Sequence, residues 1–333
     1  MSVVTTLTTS VEGGENGASG GGRRRRRNPT KASPWVTLAM ISPFVIGLAA
    51  FVVYPVAATF YYSLTNFQEG SYRPVHFVGL QNYVTLLTQS DTFWVAVRNT
   101  LWMVLIMVPL RTLFAIFAAW VLSRMRRSVG VYRTLFFVPA IVPVVGAALA
   151  FVVMLNPEGP VNALLAHFGI SGPGWFTDPK WSKPSLLIMA LWACGDVIVI
   201  FSAAMLDVPR ELYEAADLDG VNAWQRFRHV TLPFLSPVVV FAIVTGMIYT
   251  FQYFTEAFVA SGSASSIQSS SDLLGYPAQS LLFYSTDIYQ QGFVYFKTGY
   301  ASAMAWMLFV VIFLCTLGFL KLSRRWVYAA GES

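Results

Sequence analysis

Three ionisable side chains sit inside long apolar stretches of this sequence: Arg111, Asp196 and Glu256. A charge surrounded by hydrocarbon is costly, so each must meet a partner, a wet cavity or the water beyond the stretch. Arg111 comes about 12 residues into its stretch and Asp196 about 11 into its own, roughly 18 Å along a helix in both cases. Two opposite charges thus reach one depth, where they either compensate each other or face an aqueous pathway separately. Glu256 falls near the end of its stretch, where reaching water is an equal option. Tyr253, with Phe251, Phe254 and Phe258, adds aromatic planes on which a ring-shaped ligand stacks. Contact with lipid and neighbouring helices competes for the same side chains.

Other chemistry lacks the residues it needs. His76, His167 and His229 have no partners at metal-ligand spacing. Cys194 and Cys315 both lie in apolar runs, which argues against a disulfide, a redox pair or a thiolate metal site. A Gly-x-x-x-x-Gly-Lys-[Ser/Thr] loop, which would grip nucleotide phosphates, does not occur. Neither a catalytic residue nor a metal is expected in this chain.

The elements that must position these groups follow from composition. Of 333 residues, 56% are hydrophobic and 11% charged, with a mean hydropathy of +0.58. A soluble domain carries about 25% charge, so the chain is read as an all-α polytopic membrane protein. Six apolar runs are each long enough for a transmembrane helix: 35–62, 99–123, 134–155, 185–206, 237–260 and 300–322. Pro109, Pro139 and Pro143 fall inside them and are tolerable where neighbouring helices satisfy the freed carbonyls. Residues 1–31, with the run Arg23 to Arg27, read as a disordered basic tail, 32–325 as the six-helix domain, and 326–333 as a second tail.

Lys and Arg are unevenly shared between the two sides of these runs. Sixteen lie on the side of the two tails, the 124–133 loop and the 207–236 loop, against five opposite. The positive-inside rule therefore places both termini in the cytoplasm. The net charge of +6 belongs to these connections, so membrane lipid rather than nucleic acid is the expected partner. On the outside, 63–97 and 261–299 are long connections, and 156–184 carries a short amphipathic stretch near Val161 to Phe168.

The 207–236 loop holds the remaining candidates. Glu214-Ala215-Ala216 is followed by Asp219-Gly220 and, twelve residues on, by Leu232-Pro233. Pro209 suits a helix's first turn with Asp207 before it as the cap, and Gly220 permits a sharp turn. Val221, Trp224, Phe227 and Val230 recur at helical spacing, and Pro233 is expected to end that second helix. Two short helices bent at a glycine make a compact knob for docking.

This segment resembles the EAA loop of the membrane subunits of binding-protein-dependent ABC importers. That pattern is Glu-Ala-Ala, three residues, Gly, nine residues, Ile, one residue, Leu-Pro, and here Val230 replaces the Ile. Phe77 to Tyr83, Arg98 to Leu101, Arg133 to Pro139 and Gly299 to Ala303 are similar to the sugar-permease branch. The resemblance implies a coupling helix, formed by Glu214, Ala215, Ala216, Asp219, Gly220, Leu232 and Pro233, that docks on a cytoplasmic ATPase. It implies as partners two ATPase subunits that bind ATP and Mg, a second homologous permease and an extracellular substrate-binding protein. The chain itself would hold no cofactor and would form half of a sugar or polyol pathway in the bacterial cytoplasmic membrane. An ion-coupled secondary transporter or channel is the alternative, and it leaves the 214–233 pattern unexplained.

Overall fold

A computed structural model of the chain describes residues 34–70, 72, 74–125, 129–267 and 275–324. The basic tail 1–31, the 326–333 tail, and Arg73, Arg126, Arg127 and Arg325 lie outside the described residues. Among those described, every regular element is a helix. The chain divides into two units, Met1–Pro55 and Val56–Ser333.

In the first unit, α1 (Pro34–Leu48) runs into a wider π-turn at Ala49–Val53. Pro55 has no N–H to offer the preceding turn, and the ladder shifts just upstream of it: the Tyr54 N–H bonds back to the Ala49 carbonyl. α2 (Tyr54–Ser63) completes an apolar helical run, Trp35–Ser63, long enough to cross a membrane.

The second unit is organised around its longest helix. After α3 (Gln81–Gln89), the Ser90 side chain accepts from the Phe93 N–H and caps α4 (Asp91–Arg124). At 34 residues α4 is about 51 Å long, well beyond the expected run of 99–123. It passes Pro109 without stopping. The third run is broken into α5 (Val129–Ile141) and α6 (Val144–Met154), bent by 95°. Pro143 disfavours helical backbone at Val142, and the chain bends there. α7 (Pro160–His167) matches the amphipathic stretch foreseen in the outer segment.

The fourth run is also divided, into α8 (Pro179–Trp192) and α9 (Gly195–Leu206), bent by 45°. α10 (Arg210–Leu218), α11 (Ala223–Arg226), a π-turn at Phe227–Thr231 and α12 (Leu232–Phe234) form the polar connection. α13 (Ser236–Phe251) follows at a 66° bend. The fifth run was expected to continue to residue 260. Instead it ends at Phe251, and α14 (Thr255–Ile267) is a separate helix packed on α6. No glycine or proline marks this break. It coincides with the burial of Tyr253, whose ring meets Phe283 edge-on. α14 approaches α6 through Ala257, Ala260 and Ala264, whose small side chains let helices pack closely. α15 (Tyr284–Tyr289), a π-turn at Gln290–Val294 and α16 (Thr298–Ser323) complete the unit.

α4, α9 and α13 pack on one another through Ala115, Ala119, Ile198, Phe201 and Ala242. Gly195 sits where α9 crosses α5. A Cβ at that position would run into the Phe136 carbonyl oxygen, so only glycine allows the approach.

Candidate functional site

That approach places the first turn of α9, and Asp196 with it, at the wall of a cavity of about 460 Å3. The cavity is framed by α4, α5, α6, α8, α9, α13 and the start of α14. Val142 and Ala193, at the two helix breaks, line it, and Glu256 lines it just after the third. Most of the wall is apolar, from Met107, Val108, Met189, Ile200 and Phe241 among others. Thr112, Thr245 and Thr250 supply hydroxyls. The charged side chains lining it are Arg111, Asp196 and Glu256.

These groups form one connected chain. Arg111 Nη2 donates to Asp196 Oδ1 at 2.8 Å, joining α4 to α9. The guanidinium lies 5.9 Å from the centre of the Tyr249 ring on α13. The Tyr249 hydroxyl in turn donates to Glu256 Oε1 on α14. The pair is unequally covered, with 18% of the Arg111 side chain exposed against 53% for Asp196. Arg111 Nε is buried without a hydrogen-bond partner. Asp196 also stands at a helix N-terminus, where the unpaired N–H groups favour an anion.

Tyr253, expected beside this path, is not among the lining residues. It is 1% exposed, packed between Tyr249 and Phe283, with its hydroxyl buried and unpartnered. Trp192, Phe241 and Tyr249 are the aromatic residues that line the cavity, and Tyr249, which sequence reasoning missed, is the one that bonds Glu256. The helix breaks between Tyr249 and Glu256, so their contact is made across the break and helical spacing does not reveal it.

The polar connection between α9 and α13 forms a second site. α10 has no buried residue, so Glu214, Ala215, Asp219 and Gly220 are all exposed, with Ala216 half-buried. The helix begins after Pro209, which occupies the cap position itself, in place of the expected Asp207. It ends in a Schellman arrangement. The Val221 N–H bonds the Ala216 carbonyl, the Gly220 N–H bonds the Asp217 carbonyl, and Gly220 has φ +69°. Asn222 then accepts from the Trp224 and Gln225 N–H groups while Gln225 returns a bond to the Asn222 N–H. The Asn-x-x-Gln spacing of this capping box is visible in the sequence. The second helical run ends at Phe234, one residue past Pro233, as expected, and bends 66° into α13. Pro233 lies in the first turn of α12, where its missing N–H costs nothing. Leu232 and Pro233 are both exposed.

The knob's elements contact one another. Arg226 Nη1 donates to Asp217 Oδ1 at 2.7 Å, and the Tyr213 hydroxyl is 3.1 Å from Thr231 Oγ1. Trp224 and Phe227 stack on each other and both meet Trp120 at the end of α4. Internal packing thus leaves the α10 surface free, with Leu218 at 90% exposure.

Residues 111–327 match the family model described as binding-protein-dependent transport system inner membrane component. The chain belongs to this family. The matched region contains the exposed loop and, apart from Met107 and Val108, the residues that line the cavity. The probable ABC transporter permease protein YesP of Bacillus subtilis (strain 168) is 35% identical over 295 residues, 87% of this chain and 91% of that protein. The arabinooligosaccharides transport system permease protein AraP of the same organism is 33% identical, covering 88% of this chain and 89% of its own length. A crystal structure of a bacterial ABC transporter that imports the acidic polysaccharide alginate has a chain of the same fold. Its TM-score is 0.74 at 24% identity, over 87% of this permease and 96% of that chain.

Proposed function

We propose that this permease carries a sugar or polyol through the cavity at Arg111, Asp196, Tyr249 and Glu256, driven by ATP hydrolysis on partner subunits. In this reading each bent helix pair crosses the bilayer as one span, giving six, and both termini are cytoplasmic. Two ATPase subunits, which bind ATP and Mg, a second homologous permease and an extracellular binding protein complete the importer. The chain contributes half the pathway and no cofactor. The observation that carries the reading is the exposed Glu214–Pro233 loop, with its family spacing, lying between the two helices that lead to the cavity. α9 connects Asp196 to one end of the loop and α13 connects Tyr249 to the other.

That connectivity supplies a mechanism. When ATP draws the ATPase subunits together, a knob seated on them moves as a unit, because its ion pair and capping box resist local deformation. The displacement reaches Asp196 along one helix and Tyr249 along the other, so a push at the loop changes the spacing of cavity-lining groups. The aromatic ring and the open carboxylate oxygens suit a ligand with apolar ring faces and hydroxyl edges. Support for the sugar class comes also from AraP, named for arabinooligosaccharide transport. The test is uptake into vesicles holding the assembled importer. Accumulation of sugar that requires internal ATP supports the reading, and accumulation driven by an ion gradient without ATP overturns it.

A further inference from the structure

The charges lining the cavity are one cation and two anions, and the cation is already engaged. We propose that this arrangement makes the cavity selective for neutral, polyhydroxylated ligands and rejects anionic ones such as uronates. The proposal rests on the sugar reading and names the chemical class within it. A carboxylate entering the cavity could be held by Arg111 alone, and Arg111 already donates to Asp196. Arg111 Nε is buried and Nη2 is engaged by Asp196, which closes the side-on two-pronged face of the guanidinium to a second carboxylate. The same ligand would also meet Glu256, in a wall that is otherwise largely apolar and therefore screens charge poorly. A neutral hydroxyl meets the opposite situation, since the Asp196 carboxylate is half-exposed and accepts hydrogen bonds. Specificity of this kind rests on repulsion of the wrong ligand as much as on attraction of the right one.

The Thr245→Cys variant puts a thiol in the cavity wall, in a chain whose Cys194 and Cys315 are replaced by Ala. The assembled transporter in lipid nanodiscs is labelled with a neutral maleimide in the presence of digalacturonate or its dimethyl ester. The two probes share a shape and differ in charge. The ester is expected to protect the thiol at concentrations at least tenfold below those the acid requires. Asp196→Asn, which removes the negative charge opposite Arg111, should narrow that gap to less than about threefold. Glu256→Gln should narrow it as well while leaving the Arg111–Asp196 pair intact, so the test survives if the first variant folds poorly. Equal protection by acid and ester in the otherwise unaltered cavity overturns the charge selection and leaves the sugar reading standing. Protection by neither probe, nor by a panel of neutral disaccharides, removes the sugar reading and the proposal together.

Discussion

Removing Asp196 should harm this protein more than removing Arg111, and removing both should be milder than removing Asp196 alone. At 2.8 Å and an effective dielectric of about 20, the gross attraction of the pair is on the order of 6 kcal/mol. Little of that survives as net stability, because half of the Asp196 side chain is open and its charge is screened. The two single losses differ in what they strand. Asp196→Leu leaves a guanidinium that is mostly covered and whose Nε already lacks a partner, a cost of about 3 kcal/mol. Arg111→Leu leaves a half-exposed carboxylate at the start of α9, where the helix N-terminus supports it, a cost of about 1 kcal/mol. The double variant should return to about 1 kcal/mol. Thermal unfolding midpoints of the detergent-purified protein, together with membrane abundance, measure all three. A double variant no better than Asp196→Leu, or two single variants of equal severity, refutes the reasoning.

The turn at Gly220 gives a second prediction. Gly220→Val places a β-branched side chain at φ +69°, a backbone penalty of about 1–2 kcal/mol confined to the loop. Membrane insertion should be preserved while uptake and ATPase association fall, which fractionation and co-purification read directly. Gly195→Ala should lower membrane abundance, because its Cβ meets the Phe136 carbonyl and forces α9 away from α5 at a cost of about 1–3 kcal/mol. Equal abundance of this variant and the unaltered protein would show that the helix crossing is looser than described. Asp287, on α15 outside the spans, has its carboxyl pushed up from 3.8 to about 6 by burial, partly offset by the bond from Gln291. Because the folded protein holds this proton more tightly, the group's contribution is complete below pH 3.8 and is lost as pH rises through about 6. Asp287→Asn should therefore stabilise the protein at pH 8 by about 3 kcal/mol, with no gain at pH 4. An equal effect at both pH values would contradict the assignment.

Hydropathy located the apolar runs well and said little about their continuity. Pro139 and Pro143 were visible, yet a proline kinks, breaks or is simply passed, as Pro109 is in α4. Which of these occurs depends on the neighbours that satisfy the freed carbonyls. The break at Ala193–Cys194 borders a close contact between Gly195 and the Phe136 backbone, and the break after Phe251 coincides with a buried tyrosine. Both depend on tertiary packing; Gly195 is a local sign of the first, and no glycine or proline marks the second. Depth counting brought Arg111 and Asp196 to the same level because helical rise is uniform, and the structure joins them. The same counting could not separate Tyr249 from Tyr253, since 15% of the chain is aromatic and only packing decides which ring meets the cavity. The turn at Gly220 is legible because one residue type tolerates it, and the Asn222 capping box is carried by its Asn-x-x-Gln spacing.

The central claim is that the α10 surface docks on an ATPase. A photo-reactive amino acid at the position of Leu218, 90% exposed on that surface, tests it in intact membranes. Irradiation should join this chain to a nucleotide-binding subunit, with a yield that changes when ATP is trapped, and the Gly220→Val background should reduce it. Cross-links only to lipid or to the permease itself, with uptake intact, would contradict the account.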